Sequence, residues 1–430
     1  MKISDIKTKI AAGLLDASMC DLLAVPTARL ENERERYINA ADSFASIYGD
    51  SDSIRLFSVG GRSEISGNHT DHNFGRVIAA SVNLDILAFA VPTDDGEVRI
   101  KSEGFPEDIV AAGKCEAPDP KLYYTSASII AGMQKAFLNA GYKIGGFKAY
   151  TTSNVLKGSG ISSSAAFEVM VGNILNHLYN DGKVSNVEIA KMAQFAENEY
   201  FGKPCGLMDQ TACAVGGFIT IDFEDPTNLK IESIGFDLTE AGYSLCIVNT
   251  GGNHADLNED YASVPAEMKS VAKLLGRNVL RGATVEELLS KVGEIREKCG
   301  DRALLRALHF INENERVEDQ VEALKAGDID AFFLGVTGSG NSSFKYLQNV
   351  YTTKNVSEQG LSLALCVTEN FLKGKRAVCR VHGGGFAGTI QAFIPVGDTE
   401  EYKALMDSVF GAGACHVLSV RRAGAVELTF

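Results

Sequence analysis

Three stretches of this sequence combine residue types that could do chemistry together. Asp209 stands in Cys205-Gly206-Leu207-Met208-Asp209-Gln210, a carboxylate after a glycine and among otherwise apolar neighbours. A carboxylate so placed can take a proton from an attacking hydroxyl, the general-base part in phosphoryl transfer. Its plain alternative is an ordinary turn residue. Glu197, twelve residues upstream near the end of an expected helix, could hold a magnesium ion together with Ser164. Magnesium accepts one or two carboxylates completed by phosphate and water oxygens. Taken alone, Glu197 reads equally as a surface helix position.

The second stretch is Gly158-Ser159-Gly160-Ile161-Ser162-Ser163-Ser164, followed by Ala165-Ala166 and an apolar helical stripe. Small residues let a backbone approach a ligand closely, and the first turn of a helix offers unpaired N–H groups at its positive end. Serine hydroxyls add donors and can ligate a metal. No GxxxxGK[ST] string occurs, and the HRD and DFG signatures of protein kinases are absent. The loop carries no Lys or Arg, so charge neutralisation would rest on the helix end and a metal ion. A capped loop with no ligand is the bland reading.

The third stretch runs from Gly61 to Gly75: Gly-Arg-Ser-Glu-Ile-Ser-Gly-Asn-His-Thr-Asp-His-Asn-Phe-Gly. It is dense in fixed donors and acceptors with almost no apolar filler. Recognition of a polyol needs such density, because each hydroxyl must exchange its water contacts for protein ones. His69 and His72 could instead ligate a metal, but no partner at HExxH spacing accompanies them.

The elements that must position these groups follow from periodicity. Residues 1 to about 52 read as helices, with Glu31-Asn32-Glu33-Arg34-Glu35-Arg36 as a solvated face. Val-, Ile- and Phe-rich runs at Ile54–Val59, Val77–Val91 and Phe147–Thr151 read as strands, as do Leu245–Val248 and Thr389–Ile394. Ile129, Ile130, Met133 and Phe137 recur at helical spacing and are closed by Gly141; Ala166, Met170, Ile174 and Leu178 do the same. Ser185 with Glu188 predicts a capping box at the start of another helix. The turn-rich Glu224-Asp225-Pro226-Thr227-Asn228 suggests a domain boundary near 226, giving units 1–226 and 227–430. Strands and helices alternate irregularly, so the expected class is α+β with two domains.

Composition narrows the partners. The chain has 430 residues, 45% hydrophobic, enough for a substantial core, and a net charge of -14 that argues against nucleic-acid binding. No apolar run reaches the roughly 18 residues of a membrane span. The nine cysteines show no zinc or CxxC spacing and suit a reducing compartment. The expectation is a cytoplasmic protein acting on small molecules, with neither nucleic acid nor membrane as a partner.

In chain order, the stretches resemble the GHMP kinases, and the third, at 61–75, resembles the galactokinase signature GRxNxxGEHTDYN. The family's GLSSSAS motif is similar to Gly160-Ile161-Ser162-Ser163-Ser164-Ala165-Ala166, its CGIMDQ to 205–210, and its GGGFGG turn to Gly383-Gly384-Gly385-Phe386-Ala387-Gly388. The resemblance spans roughly residues 40 to 395 and implies a two-domain GHMP kinase fold with its site between the domains. It implies phosphorylation of the anomeric hydroxyl of galactose by ATP with Mg²⁺. Asp209 would be the base and Arg62 would stabilise charge at the reacting oxygens. Ser164 and Glu197 would hold the metal, and Gly158, Ser159, Gly160, Ser162, Ser163 and Ser164 would wrap the triphosphate. Glu64, Asn68, His69, Asp71, the Gly206 backbone and Tyr261 would meet the sugar.

This chain departs from the pattern at Asn68, where the family carries the Glu that binds the 6-hydroxyl, and at Glu64, where it carries Asn. His72 replaces Tyr, His382 precedes the glycine turn in place of Thr or Ser, and the sequence has no tryptophan to meet adenine. Those departures leave two other readings open: a kinase for N-acetylgalactosamine, arabinose or fucose, and a non-catalytic galactose- and ATP-binding regulator. A third, a GHMP kinase for mevalonate or homoserine, is disfavoured by His69-Thr70-Asp71.

Overall fold

The computed structural model describes residues 1–113, 117–155, 161–203, 205–226, 228–252 and 257–430. Two sheets organise them. The first holds β1 (Arg55–Ser66), β2 (Arg76–Thr93), β3 (Glu97–Ser102), β4 (Glu107–Ala111), β5 (Gly146–Ser153), β6 (Phe218–Asp222) and β7 (Lys230–Ile234). The second holds β8 (Tyr243–Asn249), β9 (Val378–His382), β10 (Thr389–Pro395) and β11 (Cys415–Leu418) in the order β11-β8-β10-β9. The last strand, β12 (Ala425–Leu428), returns to the first sheet, whose main order is β12-β1-β2-β5-β3-β4. The long β2 pairs β6 with its first half and β5 with its second. Only β3–β5 is parallel; every other pair is antiparallel. The class is α+β, as expected from the irregular alternation.

Alternation of side chains sorts the first sheet into two buried faces. Phe57, Val59, Ala88, Ala90, Phe147 and Ala149 point one way, into a core shared with α4 (Ser126–Asn139), α5 (Ser163–Tyr179), α6 (Asn186–Phe195) and α7 (Met208–Val215). Leu56, Leu87, Phe89 and Tyr150 point the other way. They are covered by the N-terminal helices α1 (Ile3–Ala11), α2 (Asp16–Asp21) and α3 (Leu30–Tyr48) through Ile10, Met19, Tyr37 and Phe44. The opening helices therefore seal a sheet face that would otherwise lie open.

Local signals set the helix limits. Ser185 accepts from the Glu188 backbone while the Glu188 side chain accepts from the Ser185 backbone, so both halves of the expected capping box form. Gly141, with φ of 82°, follows α4 as anticipated. Of the later helices, α8 (Asn258–Leu274), α9 (Val285–Ser290) and α10 (Val292–Lys298) share a core of their own with α11 (Asp301–Ala326), while α12 (Ile329–Ser342), α13 (Gly360–Phe371) and α14 (Thr399–Phe410) pack on the second sheet. The anticipated boundary near 226 falls between β6 and β7, two paired strands of the first sheet. The expectation of a solvated face at 31–36 fails at Arg36, which turns inward to pair with Asp85 of β2 at 2.7 Å. Among the described residues no helix is long and apolar enough to cross a membrane.

Phe44 is fully buried at the seal between α3 and the sheet. Phe44→Ala is expected to cost about 3–5 kcal/mol of unfolding free energy, read from denaturant midpoints. A loss of a few tenths would show that α3 is not packed there.

Candidate active site

Asp209 opens α7, and Arg62 lies on β1; the sequence places them far apart and the fold joins them. Arg62 donates from Nε to Asp209 Oδ1 and from Nη2 to Oδ2, both at 2.7 Å. Ser162, just before α5, donates its hydroxyl to Asp209 Oδ2. Burial pushes the Asp209 carboxyl up, but the Arg62 charge, its two hydrogen bonds and the Ser162 hydroxyl outweigh that and hold it below the ordinary carboxylate value. Asp209 is thus ionised and oriented at neutral pH.

Ser162 takes a left-handed φ of 57°, a conformation that costs a non-glycine residue energy. That turn aims its hydroxyl at Asp209 while its carbonyl accepts from Ala166, starting the ladder of α5. The loop and the catalytic strand touch at Gly61, where a Cβ would lie 2.8 Å from Ile161 O and from Ile161 Cγ2. Arg62 N donates to Ile161 O at 3.1 Å, locking the two segments together. Gly158, Ser159 and Gly160 lie outside the described residues.

On one side of this pair is a cleft of about 320 Å³ between the two sheets. Arg62, Glu64, His69, Asp71 and Tyr261 line it, with Gly383 and Gly384 of the late glycine turn and with His72 and Met208. The His69 ring bonds Gly384 O at 3.0 Å, and Tyr261 donates to Gly385 O at 2.9 Å with its ring edge-on to Phe386. Gly206 lets the Asp71 carboxylate approach closely, since a Cβ there would lie 2.8 Å from Asp71 Oδ2 and displace it. Burial pushes the Asp71 carboxyl up. Five of the sequence-derived site residues thus line one polar cleft, and Gly206 abuts Asp71 beside it.

Asn68, expected from the sequence to meet a ligand, is not among the residues that line the cleft. Its side chain is fully buried and its bonding capacity is spent on protein. Nδ2 donates to Glu64 Oε1 at 3.0 Å and Gly383 O at 2.6 Å; Oδ1 accepts from Asn349 Nδ2 at 2.8 Å and Ser343 Oγ at 3.3 Å. Asn68 ties the cleft floor to the glycine turn. Glu64 lines the cleft as a second carboxylate beside Asp71 and is held by Arg380 Nη2 at 3.0 Å. Arg380 and Asn349 carry no motif, and only their partners reveal them.

On the other side of the pair is a pocket of about 690 Å³ at the start of α5. Ser163 and Ser164 sit at its base, Phe105, Phe167 and Phe201 supply flat apolar surface, and Asn154, Ser126 and Asp108 supply polar groups. No local pattern marks the aromatic trio, which comes from three unconnected segments. Glu168, one turn after Ser164 on α5, also lines this pocket, and the i, i+4 spacing was the overlooked clue. Its Oε1 is buried without a hydrogen-bond partner, while Gln210 donates to Glu168 Oε2 at 3.1 Å and to Glu197 Oε2 at 2.7 Å. Burial and the Glu197 charge push the Glu168 carboxyl well up. Glu197 itself is buried and pairs with Lys203 at 3.0 Å. Two close carboxylates, an orphaned oxygen and a serine hydroxyl form a donor set that suits a hard cation, although no group of three or more His, Cys, Asp or Glu occurs among the described residues.

Comparison with known proteins bears on this arrangement. The family model described as "GHMP kinases N terminal domain" matches residues 128–217, and "Galactokinase galactose-binding signature" matches residues 42–92. A galactokinase of Streptomyces coelicolor is 30% identical over 377 residues, covering 86% of this chain and 92% of its own. The chain belongs to the galactokinase family. A galactokinase of Thermotoga neapolitana is also 30% identical, over 81% of this chain and 92% of its own. The crystal structure of Lactococcus lactis galactokinase complexed with galactose superposes with a TM-score of 0.75 at 24% identity, over 90% of this chain and 98% of that one. Its likeness establishes the GHMP kinase fold. In this family member the signature segment supplies the cleft, and the matched kinase domain supplies α5, Glu197 and Asp209.

Three buried histidines support the cleft in neutral form. Burial lowers His309 to about 4, and His72 and His382 to about 3 each. His309 bonds Asn68 O at 2.9 Å and Ser342 Oγ at 2.8 Å, directly behind the cleft floor. Each takes up a proton on unfolding once the pH is below its ordinary value of 6.5. Their contribution is complete above that value and is lost as pH falls toward the folded-state value, at ~1.4 kcal/mol per pH unit for each. His309→Gln is expected to flatten the acid-side decline in stability by about one such slope between pH 6.5 and 4. An unchanged slope would mean His309 is already protonated in the folded chain.

Proposed function

We propose that this chain transfers the γ-phosphoryl group of ATP to the anomeric hydroxyl of galactose, giving galactose 1-phosphate and ADP. The observation that carries the reading is the Arg62–Asp209–Ser162 chain, which links the polar cleft to the pocket at the start of α5. A sugar in the cleft and a nucleotide in the pocket would meet across Asp209. Galactose is favoured by membership of the family and by the match to the galactose-binding signature.

Asp209 takes the proton of the 1-hydroxyl as its oxygen bonds phosphorus and the bond from phosphorus to the ADP oxygen breaks. A carboxylate held below its ordinary value is a weak base. It therefore accepts the proton late, after bond formation to phosphorus has made the hydroxyl acidic. Arg62 keeps Asp209 charged and oriented, and offers positive charge at the reacting oxygens. Ser162, Ser163 and Ser164, with Gly158, Ser159 and Gly160, bind the triphosphate at the head of α5. The Phe105, Phe167 and Phe201 surfaces take the adenine in place of a tryptophan. Ser164 and Glu197, with Glu168 beside them, would hold Mg²⁺, which neutralises phosphate charge when bound.

In the cleft, His69, Asp71, the Gly206 backbone and Tyr261 order the sugar, and Glu64 takes the hydroxyl contact that an acidic side chain makes elsewhere in the family. Asn68 fixes Glu64 from behind. The second reading, another sugar as acceptor, draws on this same Glu64–Asn68 arrangement. It is tested by ADP release with ATP and Mg²⁺ over galactose, N-acetylgalactosamine, glucose, arabinose, fucose and mevalonate. Galactose is expected to turn over fastest; a faster neighbour overturns the substrate, and no turnover at all overturns the kinase.

Two variants test the roles. Asp209→Asn is expected to lower kcat by about 10²- to 10⁴-fold with ATP affinity retained; near-normal turnover removes Asp209 from the mechanism. Glu64→Gln is expected to raise the galactose KM about tenfold through loss of a charged hydrogen bond while the ATP KM stays within about twofold. Equal rises in both KM values would assign Glu64 to folding and not to the sugar.

A further inference from the structure

The N-terminal helices seal the outer face of the first sheet, and one of their side chains meets a buried charge on that face. Arg36 of α3 reaches Asp85, a buried residue in the middle of β2. Its Nη2 lies 2.7 Å from Asp85 Oδ1 and donates to Asp85 O at 3.2 Å. Its Nη1 donates to Glu33 Oε2 at 2.9 Å. The Asp85 side chain is also met by the Ser58 hydroxyl of β1 and by Arg421 Nη1 at 3.8 Å. The buried group is balanced: two guanidiniums face Asp85 and Glu33.

Asp85 is held because of what its backbone holds. Its N–H donates to Asn154 Oδ1 at 2.5 Å, and its carbonyl accepts from Asn154 N at 3.1 Å. Asn154 and Val155 follow β5, form an edge of the pocket at the start of α5, and lead directly into residues 156–160. Ile86, the next residue of β2, lines the same pocket. Arg36 Nη2 and Asn154 N thus share one carbonyl, that of Asp85. Opposite Asp85 across the ladder is Gly60, two residues before Arg62.

We infer that Arg36 is a positioning residue for the nucleotide, acting through Asp85 on the Asn154–Val155 edge of the pocket. The inference rests on the reading of that pocket as the ATP site. Arg36 precedes residues 42–92, which the galactose-binding signature covers, so the N-terminal extension formed by the residues before 42 contributes to nucleotide binding from outside the shared signature. Its guanidinium spans carboxylate and carbonyl at once, a reach that a lysine ammonium lacks.

The test is calorimetric titration of ATP, with steady-state kinetics on galactose, for the full chain and for Arg36→Ala, Arg36→Lys, Asn154→Ala and the Arg36→Ala/Asn154→Ala pair. Ile10→Ala, which removes buried packing of the same extension without touching Asp85, is the control for general destabilisation. Arg36→Ala is expected to weaken ATP binding about tenfold and raise the ATP KM alike, with the galactose KM within about twofold. Arg36→Lys should recover part of the loss, and it keeps the test open if the alanine variant does not fold. The double variant should bind no more weakly than Asn154→Ala alone, since both act through one contact. The inference is overturned by unchanged ATP affinity in Arg36→Lys and Arg36→Ala, by losses that multiply in the pair, or by an equal loss in Ile10→Ala. If the unaltered chain binds no ATP, the nucleotide reading itself fails and the inference falls with it.

Discussion

A buried guanidinium must find a carboxylate, because an unpaired charge in a low-dielectric interior costs several kcal/mol. Three such pairs fasten the reactive part of this chain. Arg62 meets Asp209, Arg380 meets Glu64, and Arg421 and Arg36 together meet Asp85. In each pair the partners come from distant segments, so satisfying the charge also closes the fold. Arg380 draws β9 of the second sheet against β1, and Arg421 draws the segment after β11 back to the first. These pairings hold the walls of the cleft together.

The same constraint separates two chemical environments across a short distance. On the cleft side, ionic and amide groups are held rigid by protein partners, which suits a ligand covered in hydroxyls. On the pocket side, the start of α5 and a close pair of carboxylates suit phosphate and a cation, while three phenylalanines suit a flat ring. Asp209 sits between the two, charged by Arg62 and aimed by Ser162. A strained φ at Ser162 and another at His69 are tolerated because the hydrogen bonds around them overdetermine the backbone.

Much of this was legible in the sequence where the signal is local. The capping box at Ser185, the stripe of α4 with Gly141 behind it, and the strands at 54–59 and 77–91 depend on neighbours a few residues away. The motif at 205–210 and the serines before α5 were recognisable because a base and a phosphate-binding turn each need a short, specific string. The position of Asn68 in the signature suggested a ligand contact, and only the fold shows its four protein partners from residues 64, 343, 349 and 383. Arg36 was misread for a similar reason: a charge run on a helix is usually solvated, and nothing nearby announces a buried Asp85.

The sequence by itself determined the class of fold, the order of the motif-bearing segments and the carboxylate proposed as base, since periodicity, capping and short motifs are set by adjacent residues. The tertiary structure decided which carboxylates line the cleft, which aromatic side chains line the pocket, and which arginine neutralises which acid. Those choices depend on distances between segments up to hundreds of residues apart, such as Glu64 and Arg380. Pairing of buried charge and filling of space are properties of the assembled chain, and no local pattern encodes them.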